Sequence, residues 1–557
     1  MLALWLAKAV AVALRCLGRK ATQLPGRIAI TLCPEFLKCL DRPKTVIAVT
    51  GTNGKTTVCN LLVDVMEQCG LEVISNRYGS NLNSGIASAL LANCGPLGTI
   101  RVPIAVLEVD ERSSRLVYPL IEPDFLVCTN LFRDSIARNA HTEFISYVIE
   151  SALPAKTRLI LNADDLISSM LGSQEGWRSW GDHEQSGWES RNGRRGWGDQ
   201  GDHEQDEQGG WESRDGREQD EQGGRGGQGR RRTYFGVGPW EGDRRERMSL
   251  TRDITICPHC NTPLEYEYVH YHHIGKAFCP QCGFCSPPSD YLVANINTAE
   301  RVFTVQTDEG SFPYRLISAS IFNVYNLCAT IAVLHEYGIS HARLQQAFEK
   351  VELAQSRYHE EVVGDVTLVM HLAKGQNAIA CSRAFDYIAS LDGRKAVILN
   401  LDDFFDAKGG SENITWLYDC DYERLDDPNI TQLVIGGIRS YDHYLRLLIA
   451  GVAREKIRRT RYEHDTAALV ELAEVDKVFI LYDVYTIARA EEVLRRLRAR
   501  LTATTTAQPT AGAAGVAEVT GASGKAGAPT AEAAGAASEA AGSSAEGASG
   551  SSGKAAT

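Results

Sequence analysis

The sequence predicts an α/β protein: a central domain built on a mostly parallel sheet, an inserted four-cysteine zinc ribbon, and a smaller C-terminal α/β domain. Three observations lead there. Short apolar, β-branched segments alternate with stretches long enough for a helix. A glycine-rich loop joins the first of those segments to a helical pattern, and two C-x2-C knuckles stand 18 residues apart further along.

At 557 residues the chain is too long for one core, so two or three domains with irregular segments are expected. A formal net charge of -12 argues against a general nucleic-acid binder, which needs a basic face. Fifteen cysteines form an odd set, and the apolar opening MLALWLAKAVAVALRCLG carries Lys8 and lacks a small-residue cleavage site. Reduced thiols and a cytoplasmic location follow as expectations. The opening run is shorter than the roughly 20 apolar residues of a membrane span. It reads, within residues 1–41, as an amphipathic helix packed on the body, with peripheral contact at the inner face of the membrane as the other reading.

Lys44 to Gly70 gives a β-branched run, a glycine turn, then apolar positions at helical spacing: strand, loop, helix. VPIAVLEVD, DFLVCTNL and TRLILNADD follow as further buried strands, each ending in polar residues. Functional groups in such a sheet gather at the strand C-termini. The expected central domain runs over 42–335 and contains a helical block from Ile317 to Leu334. Between 173 and 232 the composition becomes charged and Gly-rich, with GDHEQ at Gly181 and Gly201 and GWES at Gly187 and Gly210. Such near-repeats cannot bury a core and read as a disordered insertion, as does the Ala/Gly/Ser/Thr tail of 501–557. In the expected C-terminal domain, 355–500, GRKAVILNLDD, ITQLVIGGI and DKVFILYD read as strands. HYLRLLIAGV and ARAEEVLRRLRARL read as helices.

The loop TGTNGKTT carries the first chemistry. Backbone N–H groups from Gly51, Thr52, Asn53 and Gly54 into Lys55, Thr56 and Thr57 can cradle phosphate at a helix N-terminus; Lys55 adds charge and the Thr56 hydroxyl can ligate Mg2+. Val49 stands where the common G-x-x-x-x-G-K-[ST] loop has glycine. Glu108, in LEVDE at the end of a strand, is placed to hold the same Mg2+, with Asp110 and Glu111 as lesser candidates. Cys257, Cys260, Cys279 and Cys282 have the spacing of a closed tetrahedral Zn2+ site of structural type, from a ribbon spanning 250–290. Cys285 is the spare thiol, and His259, His270, His272 and His273 are alternative ligands. The intervening LEYEYVHYHHIGKAF is aromatic rather than basic, which speaks against nucleic acid.

The T-G-T-N-G-K-T-T form of the loop resembles that of Mur ligases and folylpolyglutamate synthases. With NRYGSNLNSG (Asn76 to Gly85), LEVDE, TNLFRD (Thr129 to Asp134), LNADD, the four-cysteine insertion and FNVYN (Phe322 to Asn326), the chain resembles the MurT family, the ligase subunits of lipid II isoglutaminyl synthase. The resemblance implies a Mur-ligase-type fold, ATP and Mg2+ as well as Zn2+, and ATP-dependent amidation of the D-glutamate α-carboxyl of lipid II through an acyl phosphate. It implies a role for Glu108 on Mg2+, for Asn323 and Asn326 near the base, and for Arg357 near the phosphates. Within SENITWLYDCDYERL it implies a catalytic acid at Asp419, with Asp421 as the close rival. It also implies lipid II at the membrane surface as substrate and a GatD-type glutamine amidotransferase as partner, since no G-x-C-x-G elbow surrounds Cys381 or Cys420. The chain departs from the family at HLAKGQNAIACSR (His371 to Arg383), and Ala137 and Ser135 replace an acid and an amide. A ligase that joins an amino acid without a glutaminase, and a non-catalytic nucleotide-binding protein, remain as alternatives.

Overall fold

The strand-forming segments are continuous apolar runs because both faces of the sheet are covered. In the computed structural model, residues 1–133, 141–173, 230–241, 243, 245, 249–352, 358–373, 377–401, 414–483 and 486–507 are described. The repeat insertion from 174 to 229, Ser135, Ala137, Arg357, residues 374–376 and 402–413, and the tail beyond 507 lie outside the described residues.

Two helices open the chain, α1 (Leu2–Cys16) and α2 (Leu24–Leu32). Then come β1 (Thr45–Thr50), α3 (Lys55–Gln68), β2 (Val73–Ser75), α4 (Asn83–Ala92), β3 (Ile104–Glu108), α5 (Ser114–Ile121), β4 (Phe125–Cys128), α6 (Thr142–Ala152) and β5 (Arg158–Asn162). Next are β6 (Arg232–Val237), the ribbon strands β7 (Glu265–Tyr271) and β8 (Ile274–Phe278), then β9 (Tyr291–Asn297), β10 (Val302–Thr307) and β11 (Gly310–Arg315). Helices α7 (Ile321–Tyr337) and α8 (His341–Phe348) complete this part.

The large sheet has the order β11-β10-β9-β6-β5-β4-β1-β3-β2. From β9 to β2 all neighbours are parallel, while β10 and β11 add an antiparallel edge. Strand β1 lies between β4 and β3, so the chain leaves it at a topological switch point, where the loop after it faces a crevice. One face packs against the N-terminal helices, α4, α5 and α6; the other packs against α3, α7 and α8. Cys257, Leu264, Tyr266, Val269, Ala277 and Cys279 of the ribbon belong to the first of these cores, so the ribbon is part of the body rather than an excursion from it.

A second sheet carries β12 (Tyr358–Val363), β13 (Val366–Leu372), β14 (Lys395–Asn400), β15 (Ile430–Ile435), β16 (Ile457–Arg459) and β17 (Lys477–Tyr482) in the order β12-β13-β17-β14-β15-β16. Only β12 runs antiparallel to its neighbour. Helices α9 (Ala378–Ser390), α10 (Ser440–Ile449) and α11 (Ile487–Ala507) accompany it.

Every strand and helix named from the sequence is present. The sequence reading did not name β2, β6 to β13 or β16; in VFTVQT of β10, for example, Phe303 and Val305 are buried while Thr304 and Gln306 are not, so the segment shows no continuous apolar run.

Candidate functional site

The loop between β1 and α3 is held from one side by the TNLF segment after β4. Asn53 donates its amide to Asn130 Oδ1 at 3.0 Å, and Asn130 Nδ2 and Thr129 Oγ1 donate back to the Asn53 carbonyl at 3.1 and 2.7 Å. The Thr52 amide donates to the Asn130 carbonyl, and the Thr52 hydroxyl takes the Phe132 amide at 2.9 Å. Leaving any one of these buried groups unpaired costs about 1–3 kcal/mol, so the clasp fixes the loop tightly. It also commits the amides of Thr52 and Asn53. The donors left for phosphate are those of the first turn of α3, at Lys55, Thr56 and Thr57, which have no intrahelical acceptor.

Both loop glycines are required. Gly51 has φ +123° and a side chain there would strike Thr129 Oγ1; Gly54 has φ +90° and a side chain would strike Asn326 Oδ1. Asn326, buried in α7, thus lies against the loop itself, and its Nδ2 reaches Asn323 Oδ1 at 3.4 Å. Asn323 in turn donates to Ser318 Oγ at 2.9 Å.

Lys55 Nζ sits 2.7 Å from Glu111 Oε1 in a buried ion pair and also donates to the Gly51 carbonyl. Burial works against the Lys55 ammonium, but Glu111, then Glu108 and Asp110, outweigh it and raise its pKa. Burial likewise lifts the Glu111 carboxyl above its ordinary value, with Lys55 opposing. Glu108 ends β3 opposite Val49, which places it beside the start of the loop. Its backbone is bracketed by Asn76, which accepts from the Glu108 amide and donates to its carbonyl, both at 2.9 Å; Asn81 Nδ2 donates to its carboxylate at 3.2 Å. Burial first, and then the charge of Glu108, raise the pKa of Cys59. One carboxylate beside the Thr56 turn of α3, lightly hydrogen-bonded, suits a divalent cation bridging phosphates.

The ribbon meets this site at its far end. Cys257 and Cys282 Sγ are 3.5 Å apart, Cys260 and Cys279 Sγ 3.4 Å apart, and all four lie within 4.8 Å of one another. Tetrahedral Zn2+ with Zn–S near 2.3 Å needs sulfurs about 3.8 Å apart, so the thiols fit the ion. The His259 amide points at Cys257 Sγ, and the hydroxyl and amide of Thr262 pull Cys260 down to about 6, toward thiolate. None of the four histidines considered as ligands joins the thiol cluster: His259 packs on Phe284, His270 Nδ1 meets Asp243 Oδ1 at 2.7 Å, His273 Nε2 meets Asp165 Oδ1 at 3.1 Å, and His272 lies edge-on to Phe132. Asp165 also accepts from the Leu131 amide at 2.7 Å, which ties the β7–β8 turn to the clasp. Tyr271 in the same turn lies edge-on to Phe322, and Arg383 of α9 covers both rings.

The irregular segment at Leu250 and Thr251, where the ribbon begins, holds the acid segment of the second sheet. Asp421 Oδ1 accepts from the Leu250 amide at 2.8 Å, and the Asp419 carbonyl accepts from Thr251 Oγ1 at 2.9 Å. Asp421 is buried, burial raises its pKa, and its carboxylate serves this contact; Asp419 is partly exposed at the end of the short helix Trp416–Asp419. Buried Arg446 fixes that helix by donating to the carbonyls of Leu417 and Cys420. Arg357, expected near the phosphates, lies outside the described residues.

Residues 49–180 match the Mur ligase middle domain, and residues 374–487 match the MurT ligase C-terminal domain. The chain thus carries a Mur ligase middle domain followed by a MurT-type C-terminal segment. With that middle domain the chain is an ATP-dependent ligase. It is similar to the lipid II isoglutaminyl synthase (glutamine-hydrolyzing) subunit MurT of Staphylococcus aureus (strain COL), 27% identical over 452 residues, covering 81% of this chain and 88% of that one. The protein of the same name from Streptococcus pneumoniae is 26% identical over 478 residues, covering 84% and 90%. In fold it matches a pseudomurein peptide ligase type C from Methanothermus fervidus, with a TM-score of 0.57 at 16% identity over 83% of this chain and 81% of that one.

Several residues at the family site had no role in the sequence reading: Asn76 and Asn81 beside Glu108, Thr129 and Asn130 on the loop, and Asp165 beneath the clasp. Their signal was present, since NRYGSNLNSG, TNLFRD and LNADD are polar runs that directly follow buried strands or precede helices. Glu111, a lesser Mg2+ candidate by sequence, is the partner of Lys55.

Two measurements check this geometry. Gly54→Ala puts a side chain on a left-handed backbone at a cost of about 1–3 kcal/mol, and ATP affinity by calorimetry should fall by about 5- to 150-fold. Elemental analysis of the purified chain should find one zinc per molecule, and Cys257→Ser with Cys282→Ser should abolish it and lower the melting temperature. Unchanged metal content would contradict the four-thiolate site.

Proposed function

We propose that the chain amidates a peptidoglycan precursor, converting the α-carboxyl of D-glutamate in the lipid II stem peptide to D-isoglutamine. The observation that carries this is the phosphate loop, with Lys55 and Glu108 at the end of the parallel sheet, in one chain with a MurT-type C-terminal segment. Relatives named as lipid II isoglutaminyl synthase subunits, similar over four-fifths of the chain, support peptidoglycan amide ligation; the finer steps are our reading.

ATP with Mg2+ supplies a γ-phosphoryl group to the substrate carboxylate. In this reading the first-turn amides of α3 and Lys55 hold the phosphates, and Thr56 and Glu108 hold the cation. A carboxylate oxygen bonds to phosphorus as ADP leaves, giving an acyl phosphate. Ammonia then bonds to the acyl carbon, and phosphate departs with that oxygen. Asp419 orients the incoming ammonia or takes its proton, while Asp421 keeps the segment in place. Asn323 and Asn326 bound the nucleotide side of the crevice. Zn2+, closed off by four thiolates, has no open position for chemistry and acts structurally.

A GatD-type glutaminase supplies the ammonia. The two cysteines of the acid region, Cys381 and Cys420, are buried, and burial raises the Cys420 thiol well above its ordinary value, which suits neither to nucleophilic attack on glutamine. The reaction belongs at the cytoplasmic face of the membrane, where lipid II is accessible.

The test is mass spectrometry of lipid II incubated with ATP, glutamine, this chain and its glutaminase. Acid-to-amide conversion should require ATP, and Lys55→Ala should reduce it by at least about a thousandfold, as expected when a group stabilising transferred phosphate is lost. Conversion that persists in Lys55→Ala, or amino-acid-dependent turnover without the glutaminase, would overturn the reading.

A further inference from the structure

Helix α1 is apolar on two opposite faces. Leu4, Ala7 and Ala11 pack against α2 and α4. The residues turned outward are Leu2, Trp5, Leu6, Ala9, Val12, Ala13 and Cys16, at the i, i+3, i+4, i+7 spacing of a continuous stripe. Leu2 is 72%, Trp5 58% and Val12 57% exposed. The lysine that would interrupt an apolar helix does not lie on this stripe: Lys8 Nζ reaches back to the carbonyls of Leu91 and Cys94 at the C-terminal end of α4. Trp5 donates its indole N–H to the Pro96 carbonyl, next to exposed Leu97, so the apolar surface continues onto the neighbouring loop.

The charge around the stripe is one-sided. Residues 1–34 hold Lys8, Arg15, Arg19, Lys20 and Arg27 and no acidic residue, in a chain whose net charge is -12. Arg15, Arg19, Lys20 and Arg27 are exposed and gather from the end of α1 to the start of α2. An apolar helical face with a tryptophan, bordered by basic residues, is the composition of a helix lying in the plane of a bilayer interface. Among the described residues no helix is long and apolar enough to cross a membrane.

We propose that the α1 stripe docks on an anionic phospholipid surface, with Trp5, Leu6 and Val12 in the interfacial layer and Arg15, Arg19, Lys20 and Arg27 on the headgroups. The charge selects this occupant: a basic segment of an acidic chain is drawn to a negative lipid surface. The inference rests on α1 and the basic residues that follow it, and is tested without substrate, nucleotide or glutaminase, so its failure leaves the proposed reaction standing, and the converse.

The experiment is flotation of the purified full chain with vesicles of phosphatidylcholine alone or with roughly one-third phosphatidylglycerol. The chain should float with the anionic vesicles and release at high salt. Trp5→Gln/Leu6→Gln/Val12→Gln should reduce the bound fraction by at least about tenfold, with melting temperature and ATP affinity unchanged. Arg15→Gln/Arg19→Gln/Lys20→Gln, which leaves the apolar stripe intact, should remove the preference for phosphatidylglycerol. Absence of flotation by the unmodified chain overturns the proposal, as does flotation unaffected by either triple substitution. Light scattering showing a dimer that the first variant dissociates, without vesicle binding, would instead assign the stripe to a second copy of the chain.

Discussion

The arrangement around the nucleotide loop depends on one set of hydrogen bonds, those by which Thr129 and Asn130 hold Thr52 and Asn53. A loop with left-handed glycines at 51 and 54 has no apolar side chain to pin it, and its buried backbone groups must be paired or the turn fails. The polar end of β4 provides that pairing. Because β4, β1 and β3 are adjacent parallel strands, the same strand ends bring Asn130, the loop and Glu108 to one crevice. Lys55 is then directed into a pocket whose only close carboxylate contact among the described residues is Glu111, a charge balance that a polyphosphate with its cation can replace.

The ribbon extends this constraint beyond the first sheet. Its cysteine end is closed by four sulfurs, while its opposite turn, about 20 Å along the hairpin, brings His273 to Asp165 and Tyr271 to Phe322. The residues just before it bind Asp419 and Asp421 of the second sheet. A single inserted segment therefore touches the loop clasp and the acid-bearing segment, and a metal held by its four thiols would act on the geometry of both.

Much of this was legible in the sequence because it rests on local rules. Continuous β-branched runs marked β1, β3, β4 and β5; Gly54-Lys55-Thr56 marked the helix start; the C-x2-C pairs marked the thiol cluster. Other features depend on contacts between distant segments and leave no local trace. That Asn326 lies against Gly54, that Glu111 pairs with Lys55, and that Asp421 is an anchor for Leu250 follow from how α7, the turn after β3 and the second sheet converge. The exposed stripe of α1 shows the same limit: the sequence marks a helix, and only the packing of Leu4, Ala7 and Ala11 tells which side faces inward.

The central claim is that this loop drives activation of a carboxylate by ATP, and oxygen transfer tests it most directly. With lipid II bearing 18O in the D-glutamate α-carboxyl, amidation with ATP and ammonia should deliver one 18O atom into inorganic phosphate for each amide formed. Amide formation with unlabelled phosphate would contradict the account.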